Sequence, residues 1–516
     1  FTATTTGKAI ETDNPSTITF NELIFTGSGG EWDLSANLIV QNDLTVSDGT
    51  LIGTGDITLP TGTFGGNGTV DLTGGTVAIE SSTTLGGTQG WSFNNLTLGD
   101  GATTSTTTRS DVATTTVRGV LNIAAAHFLD TGSSNWDLAG TGNVLVENGT
   151  LLEDTSTFTY SGAGANVLST NYYNLRLAAA AGSPTYTFGS LGVLIENDLI
   201  VGGGAANTTA NLNVNDPVVE VQGDVRIASN GTLEASDSTT LTVVGSYDNN
   251  GTFVGNGGLV DFTGASAFTI AAGASSFSDV LISGTGAATV TENATSTGTF
   301  TLASSSDFTL NSGTVLAVGT EFQNESGGVS TEWSGSTLSL YGGAYEVNAS
   351  TTSDTYDTLE ISGGAQVRLW NSDALTINTV SGSGLYSQDH ADTAGLLHIY
   401  GDFSESSAAD YWSYATDFDG TSLAGGAERP VDVRIESGGS VTYTGGSLSI
   451  LGTTTGSTTV AVLGGSGDYS FDITGSASFS LEYFDIADLD ADGLTFTGSP
   501  TVTGMNRGRW TIDTNG

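Results

Sequence analysis

Along most of the chain apolar and polar residues alternate in short triplets: Leu38-Ile39-Val40, Leu44-Thr45-Val46, Ile57-Thr58-Leu59, Val70-Asp71-Leu72 and Val77-Ala78-Ile79. A period of two marks a half-buried strand, and successive triplets start six to thirteen residues apart. Between strands a short phrase recurs, Asn or Asp followed by Gly-Thr and an apolar residue. It stands at Asp48-Gly49-Thr50-Leu51, Asn67-Gly68-Thr69-Val70, Asn148-Gly149-Thr150-Leu151, Asn230-Gly231-Thr232-Leu233 and Asn250-Gly251-Thr252-Phe253. This reads as a turn in which Asn or Gly accepts a left-handed backbone before the next strand begins. No helix of ordinary length is predicted; the alanine patches at 124–126 and 178–181 are too short and read as tight coil interiors.

Longer repeats support the short one. The stretch from Gly62 to Gly74 returns, with one residue inserted, from Gly251 to Gly264. A second motif, an aromatic residue three positions before a strand, begins at Phe20, Phe93, Tyr172, Phe277 and Tyr356, in steps of 73 to 105 residues.

Two all-β architectures are compatible with this pattern. Tandem sandwich modules would use the Asn-Gly turns as hairpins between antiparallel strands; a parallel solenoid would use them as corners between faces of a coil. The close spacing of triplets leaves few connections long enough for sandwich crossovers, so a predominantly parallel β-solenoid, or β-helix, is the preferred fold. At about 20 to 25 residues per coil the chain would make some 20 to 25 coils, in a rod roughly 100 Å long. Four segments follow: an N-terminal arm (1–19), solenoid repeats (20–380), an irregular insertion rich in aromatic and acidic residues (381–430) and a C-terminal solenoid segment (431–516).

Composition narrows the function classes. With 74 glycines, 6 prolines and 37% apolar residues, the chain holds too much core material for a disordered linker. Only 10 Lys and Arg face 55 Asp and Glu, a net charge of −45. Nucleic acids and anionic membrane surfaces need clustered cations and are poor partners for this chain, whereas cations and neutral glycans stay open. No cysteine is present, so stability must come from stacked ladders, and no run of 18 apolar residues spans a membrane. Phe1 opens the chain without a basic-then-apolar leader, which points to a mature, secreted form at the cell surface.

The phrases FNELIF (20–25), VQNDLTVSDGTLIG (40–53), VDLTGG (70–75) and GSYDNNGTF (245–253) resemble the Gly/Thr-rich β-strand-repeat proteins of bacterial and archaeal surfaces, among them adhesins, surface-layer proteins and filament subunits. The resemblance covers most of 20–380 and implies a repeating structural role outside the cell.

Candidate chemistry is sparse. Asp488, Asp490 and Asp492 before Gly493 match the opening of a calcium loop, where alternate carboxylates converge on a hard cation, but Ser499 stands where the bidentate Glu belongs. An acidic corner turn between strands is the competing reading, and calcium is the one cofactor suggested. Asp417 and Asp419 echo the pattern. His390, between Asp389 and Asp392, lacks firm ligand spacing, as do His127 and His398. No nucleophile elbow or phosphate loop occurs, and the arginines nearest a lyase-like base, Arg368, Arg429 and Arg434, lie in no recognisable acidic cluster. The chain is therefore read as non-enzymatic: a self-assembling subunit of an extracellular filament or surface layer. The alternative is an adhesin whose Tyr411, Trp412 and Tyr414 stack on glycans. For self-assembly the candidate contacts are Phe1 and Lys8 at the start and Arg507, Arg509 and Trp510 at the end, scarce cations and aromatics at the tips of an acidic chain.

Overall fold

The computed structural model describes 1–11, 17–109, 113–303 and most of 307–512; outside the description lie 12–16, 110–112, 304–306, 327–330, 513–516 and short stretches between 342 and 464, the longest being 413–431. The chain divides into two compact units, 1–243 with 249–258, and 244–248 with 259–516.

In the first unit every coil contributes three strands. The coil of Trp32 is typical: Glu31–Leu34, Leu38–Val40 and Leu44–Val46 each lie on a different face. Each face grows by parallel pairing with the coil before and after, so that Trp32 meets Leu51, Leu51 meets Val70, and Val70 meets Trp91. The alternation read from the sequence points one set of side chains inward. Leu38, Val40, Leu44 and Val46 are fully buried or nearly so, and their polar neighbours face out. All described pairings are parallel, so the Asn-Gly turns are corners of a β-solenoid and the hairpins of a sandwich do not occur among the described residues.

The second unit repeats the scheme, with Phe268–Ala271, Ala288–Val290 and Phe308–Leu310 on one face and Asp279–Ile282, Thr299–Leu302 and Glu321–Asn324 on another. Aromatic side chains fill its interior in a run in which Phe308 lies 5.2 Å from Trp333 and Trp333 4.8 Å from Tyr356.

The expected coil length of about 20 to 25 residues does not hold throughout. Coils are unequal: Phe158 pairs with Leu175, a step of 17 residues, whereas Leu396 pairs with Asp432, a step of 36. That long step contains much of 381–430, of which Phe403–Glu405 and Asp410–Trp412 nevertheless join the ladder, pairing with Ser440–Tyr443 and Ser447–Leu451.

The recurring glycine is used mainly for close approach. Of the five, only Gly49 has positive φ. At Gly231 a Cβ would sit 2.2 Å from the Val201 carbonyl oxygen, and at Gly251 2.2 Å from that of Ala228, so the preceding coil leaves no room for a side chain.

The alanine patches differ from one another. Ala178 and Ala179 are buried, but residues 124–126 form an outward turn in which Ala126 takes positive φ.

What fixes the corners is a relay of Asn and Asp side chains. The Asp43 carboxylate accepts the Thr63 N–H at 2.8 Å, the Asp56 carboxylate that of Thr76 at 2.8 Å, and the Asn95 amide oxygen that of Val120 at 2.9 Å. Asp198 does the same for Asp224, Asp279 for Thr299 and Asn293 for Val315. Each satisfies a backbone donor that leaves the ladder at the bend. Asn95 and Asp279 belong to the aromatic-then-strand motif, which explains its polar position.

Candidate functional site

The last strands gather the C-terminal residues singled out in the sequence. Arg509–Ile512 pairs in parallel with Phe484–Phe496, Arg509 opposite Asp485 and Trp510 opposite Ile486. Arg509 grips Asp485 with both arms of its guanidinium, at 2.8 and 2.7 Å, and this exposed pairing raises its pKa further. Arg507 has its guanidinium carbon 5.0 Å from the Tyr483 ring centroid, donates to the Tyr483 hydroxyl and lies 3.6 Å from Glu482. Trp510 stacks on Phe484 at 5.9 Å and remains 47% exposed. Sequence reasoning missed Asp485, Tyr483 and Glu482 as partners. The signal was there: Arg509–Asp485 and Arg507–Tyr483 are separated by 24 residues, one coil.

Phe1 and Lys8 lie in the first unit. The Phe1 amine donates to the Ile24 carbonyl at 2.7 Å, and its ring meets Phe20 edge-on at 6.0 Å. Lys8 begins a strand paired with Glu31–Leu34, so the arm enters the first coil. Arg507, Arg509 and Trp510 belong to the second unit.

Asp488, Asp490 and Asp492 lie within Phe484–Phe496, where the pairing register shifts. Asp488, at positive φ, accepts the Val462 N–H at 3.2 Å; Asp490 closes a turn by accepting from Asp492 and Gly493 at 3.0 and 3.2 Å. The Asp488 and Asp490 carboxylates here serve the backbone. Among the described residues no three acidic or histidine side chains gather around a common point. Asp417, Asp419, His390 and Tyr414 lie outside the described residues, as do the side chains of His398, Tyr411 and Trp412.

His127 is the one histidine whose surroundings are described, and it is fully buried. Its Nδ1 lies 2.7 Å from the Ser105 hydroxyl and its Nε2 3.0 Å from that of Thr107. A Ser–His pair resembles a nucleophile with its base, yet a completely covered ring offers a substrate no approach. Its effect is on stability. Desolvation lowers its pKa below the ordinary 6.5, outweighing the opposing pull of Asp100. Below pH 6.5 the unfolded chain then binds a proton that the folded chain refuses, so folded stability drops as pH falls. Between about pH 7.5 and 5.5 the melting temperature of the wild type should fall more than that of His127→Gln. Parallel pH profiles for the two proteins would show that the histidine has no part in the acid sensitivity.

Compared with known protein families, curated proteins and solved structures, the chain matches none.

Proposed function

We propose that this chain is a structural, non-enzymatic subunit of an extracellular filament or surface layer, and that copies join by adding the edge strands of one coil to those of another. The observation that carries the reading is the pair of open edges. Among the described residues Lys8–Ile10 and Ile18–Phe20 each end a sheet, as does Thr501–Asn506, and Arg509–Ile512 has a neighbour on one side only, whereas Phe1 and Ala3 already bond to Ile24 and Thr26 beside Leu23–Phe25. An unpaired edge templates another strand. At the C-terminal edges Val502, Trp510 and Ile512 are 46%, 47% and 46% exposed, apolar surface of the kind a subunit contact covers. The scarcity of bases sets the conditions: a net charge of −45 opposes close approach of copies, so salt or divalent cations such as calcium promote assembly.

Sedimentation and electron microscopy across a salt series test this. The double change Trp510→Ser with Ile512→Ser removes apolar contact but no ladder hydrogen bond, and should raise the concentration needed for polymers by about tenfold or more. A wild type that stays monomeric at every salt concentration, or a double variant that polymerises equally well, would remove the support for this reading.

A further inference from the structure

One face of the first unit is interrupted. Leu145–Glu147 pairs with Leu121–Ile123 on one side and, among the described residues, with no strand on the other. The next strand on that flank, Asn166–Val167, pairs only with Thr185–Phe188. Between these strands the coils are pinned at a single place. Gly142 and Ala165 form an isolated bridge, the Asn166 N–H donates to the Gly142 carbonyl at 2.8 Å, and Asn166 Nδ2 donates to Asn143 Oδ1 at 2.7 Å. Beyond the pin the chains diverge. Two fully buried tyrosines replace the missing ladder: Tyr160 Oη accepts the Leu168 N–H at 3.4 Å, Tyr172 Oη donates to the Leu168 carbonyl at 3.1 Å, and the two hydroxyls meet at 2.8 Å. Burial raises the pKa of both, so they stay protonated donors.

The divergence opens a groove of about 510 Å³. Its size falls within the usual range for small-molecule sites. Leu121 N–H takes the Val144 carbonyl and Asn148 N–H takes that of Ile123, so parallel alternation turns the backbone groups of Leu145 and Glu147 away from that neighbour, toward the groove. Amide and hydroxyl side chains surround them, including Asn143, Asn166, Thr187 and Ser190, and Leu191 adds an apolar shoulder that is 72% exposed.

The chemistry of this lining selects its guest. No Lys or Arg lines the groove, so an anion finds no counter-charge. Glu147 is its one ionisable side chain and already accepts the Leu151 N–H at 3.0 Å, which leaves little for a cation. A wholly apolar ligand would strand the amides without partners. An extended peptide needs an edge to run along, but this edge is three residues long and closed at one end by the pin. What remains is a compact, uncharged molecule with many donors and acceptors and apolar C–H faces. We propose that the groove binds a short neutral oligosaccharide, its hydroxyls held by the amides and free backbone groups and a ring face resting on Leu191.

The test uses the full chain with three neutral probes, maltotriose, cellotriose and tri-N-acetylchitotriose, and a trisaccharide of uronic acids as the charged control. Binding is followed by saturation-transfer NMR and calorimetry. At least one neutral probe should saturate the protein, and the charged control should bind at least about tenfold more weakly because Glu147 repels it. Ser190→Trp, a filling change at an exposed position, and Thr187→Val, which deletes a hydroxyl, should each weaken the neutral probe about tenfold with the melting profile retained. Should one variant fail to fold, the other carries the test. Failure of all three neutral probes to bind, equal binding of the charged control, or wild-type affinity in a folded variant would overturn the proposal.

Discussion

Alanine in place of Trp91 should destabilise the first unit by about 3–5 kcal/mol, as expected when a large, fully packed aromatic is deleted. Trp91 has no exposed surface, lies 4.7 Å from Phe64 and 6.3 Å from Phe93 between ring centroids, and its indole N–H donates to the Gly68 carbonyl at 3.0 Å. The truncation therefore does two things. It opens a cavity that neighbouring rungs cannot fill, because each is held by its own ladder to the coils on either side. It also leaves the Gly68 carbonyl buried without its indole donor. Each coil touches chiefly its neighbours, so the damage should stay local. Hydrogen exchange should accelerate most in Thr69–Leu72, Trp91–Phe93 and Thr114–Val117, with distant coils little changed. Urea unfolding followed by circular dichroism checks the magnitude. A loss below about 1 kcal/mol would mean that the aromatic stack is looser than these distances indicate.

Gly231→Ala should cost about 2–3 kcal/mol, although it adds a single methyl group. The new Cβ would lie 2.2 Å from the Val201 carbonyl oxygen and 3.1 Å from that of Ala228. Neither carbonyl can retreat cheaply. Val201 lies in a strand laddered to Asn174–Leu177 on one side and Val225–Ile227 on the other, and the Val201 carbonyl accepts the Ala228 N–H at 2.9 Å. Gly182 provides the control. Its φ is +75° and nothing lies within 4 Å of the place an added methyl group would occupy, so Gly182→Ala should meet only left-handed strain of about 1 kcal/mol. If both alanines cost the same in thermal melts, the Val201 carbonyl yields to an added methyl group more easily than its ladder indicates.

The solenoid was readable because its two determinants are local. Alternating triplets such as Leu38-Ile39-Val40 define which face goes inward, and their close spacing rules out long crossovers. Less was readable wherever the cause lies one coil away. The reason for Gly231 is a carbonyl thirty residues earlier, at Val201, and no local turn preference reveals it. The partners of Arg507 and Arg509 follow from the coil length at that point, which varies along the chain. The aromatic-then-strand motif, which looked like a super-repeat, falls on different faces: Leu23–Phe25, Asn95–Leu98 and Asn174–Leu177 belong to three different sheets. At Asn95, Asn174 and Asp279 it is a local solution for entering a corner, with Phe93, Tyr172 and Phe277 inside and Asn or Asp at the bend. The interruption after Leu145–Glu147 had no sequence signal, because Asn166-Val167 alternates as well as any other rung; only the tyrosines that substitute for the ladder distinguish it.

The corner relay has a direction. At Asp43, Asp56, Asn95, Asp198, Asp279 and Asn293 the acceptor belongs to the earlier residue and the donor N–H to the one that follows a coil later. Each finished turn thus holds out the oxygen on which the next turn docks, and nothing further along the chain is required to complete that bond. A polypeptide delivered amino end first, from a ribosome or through a narrow pore, can consolidate turn by turn behind the point of emergence. Every turn so formed resists being drawn back, and folding itself becomes a ratchet that converts thermal motion into one-way passage.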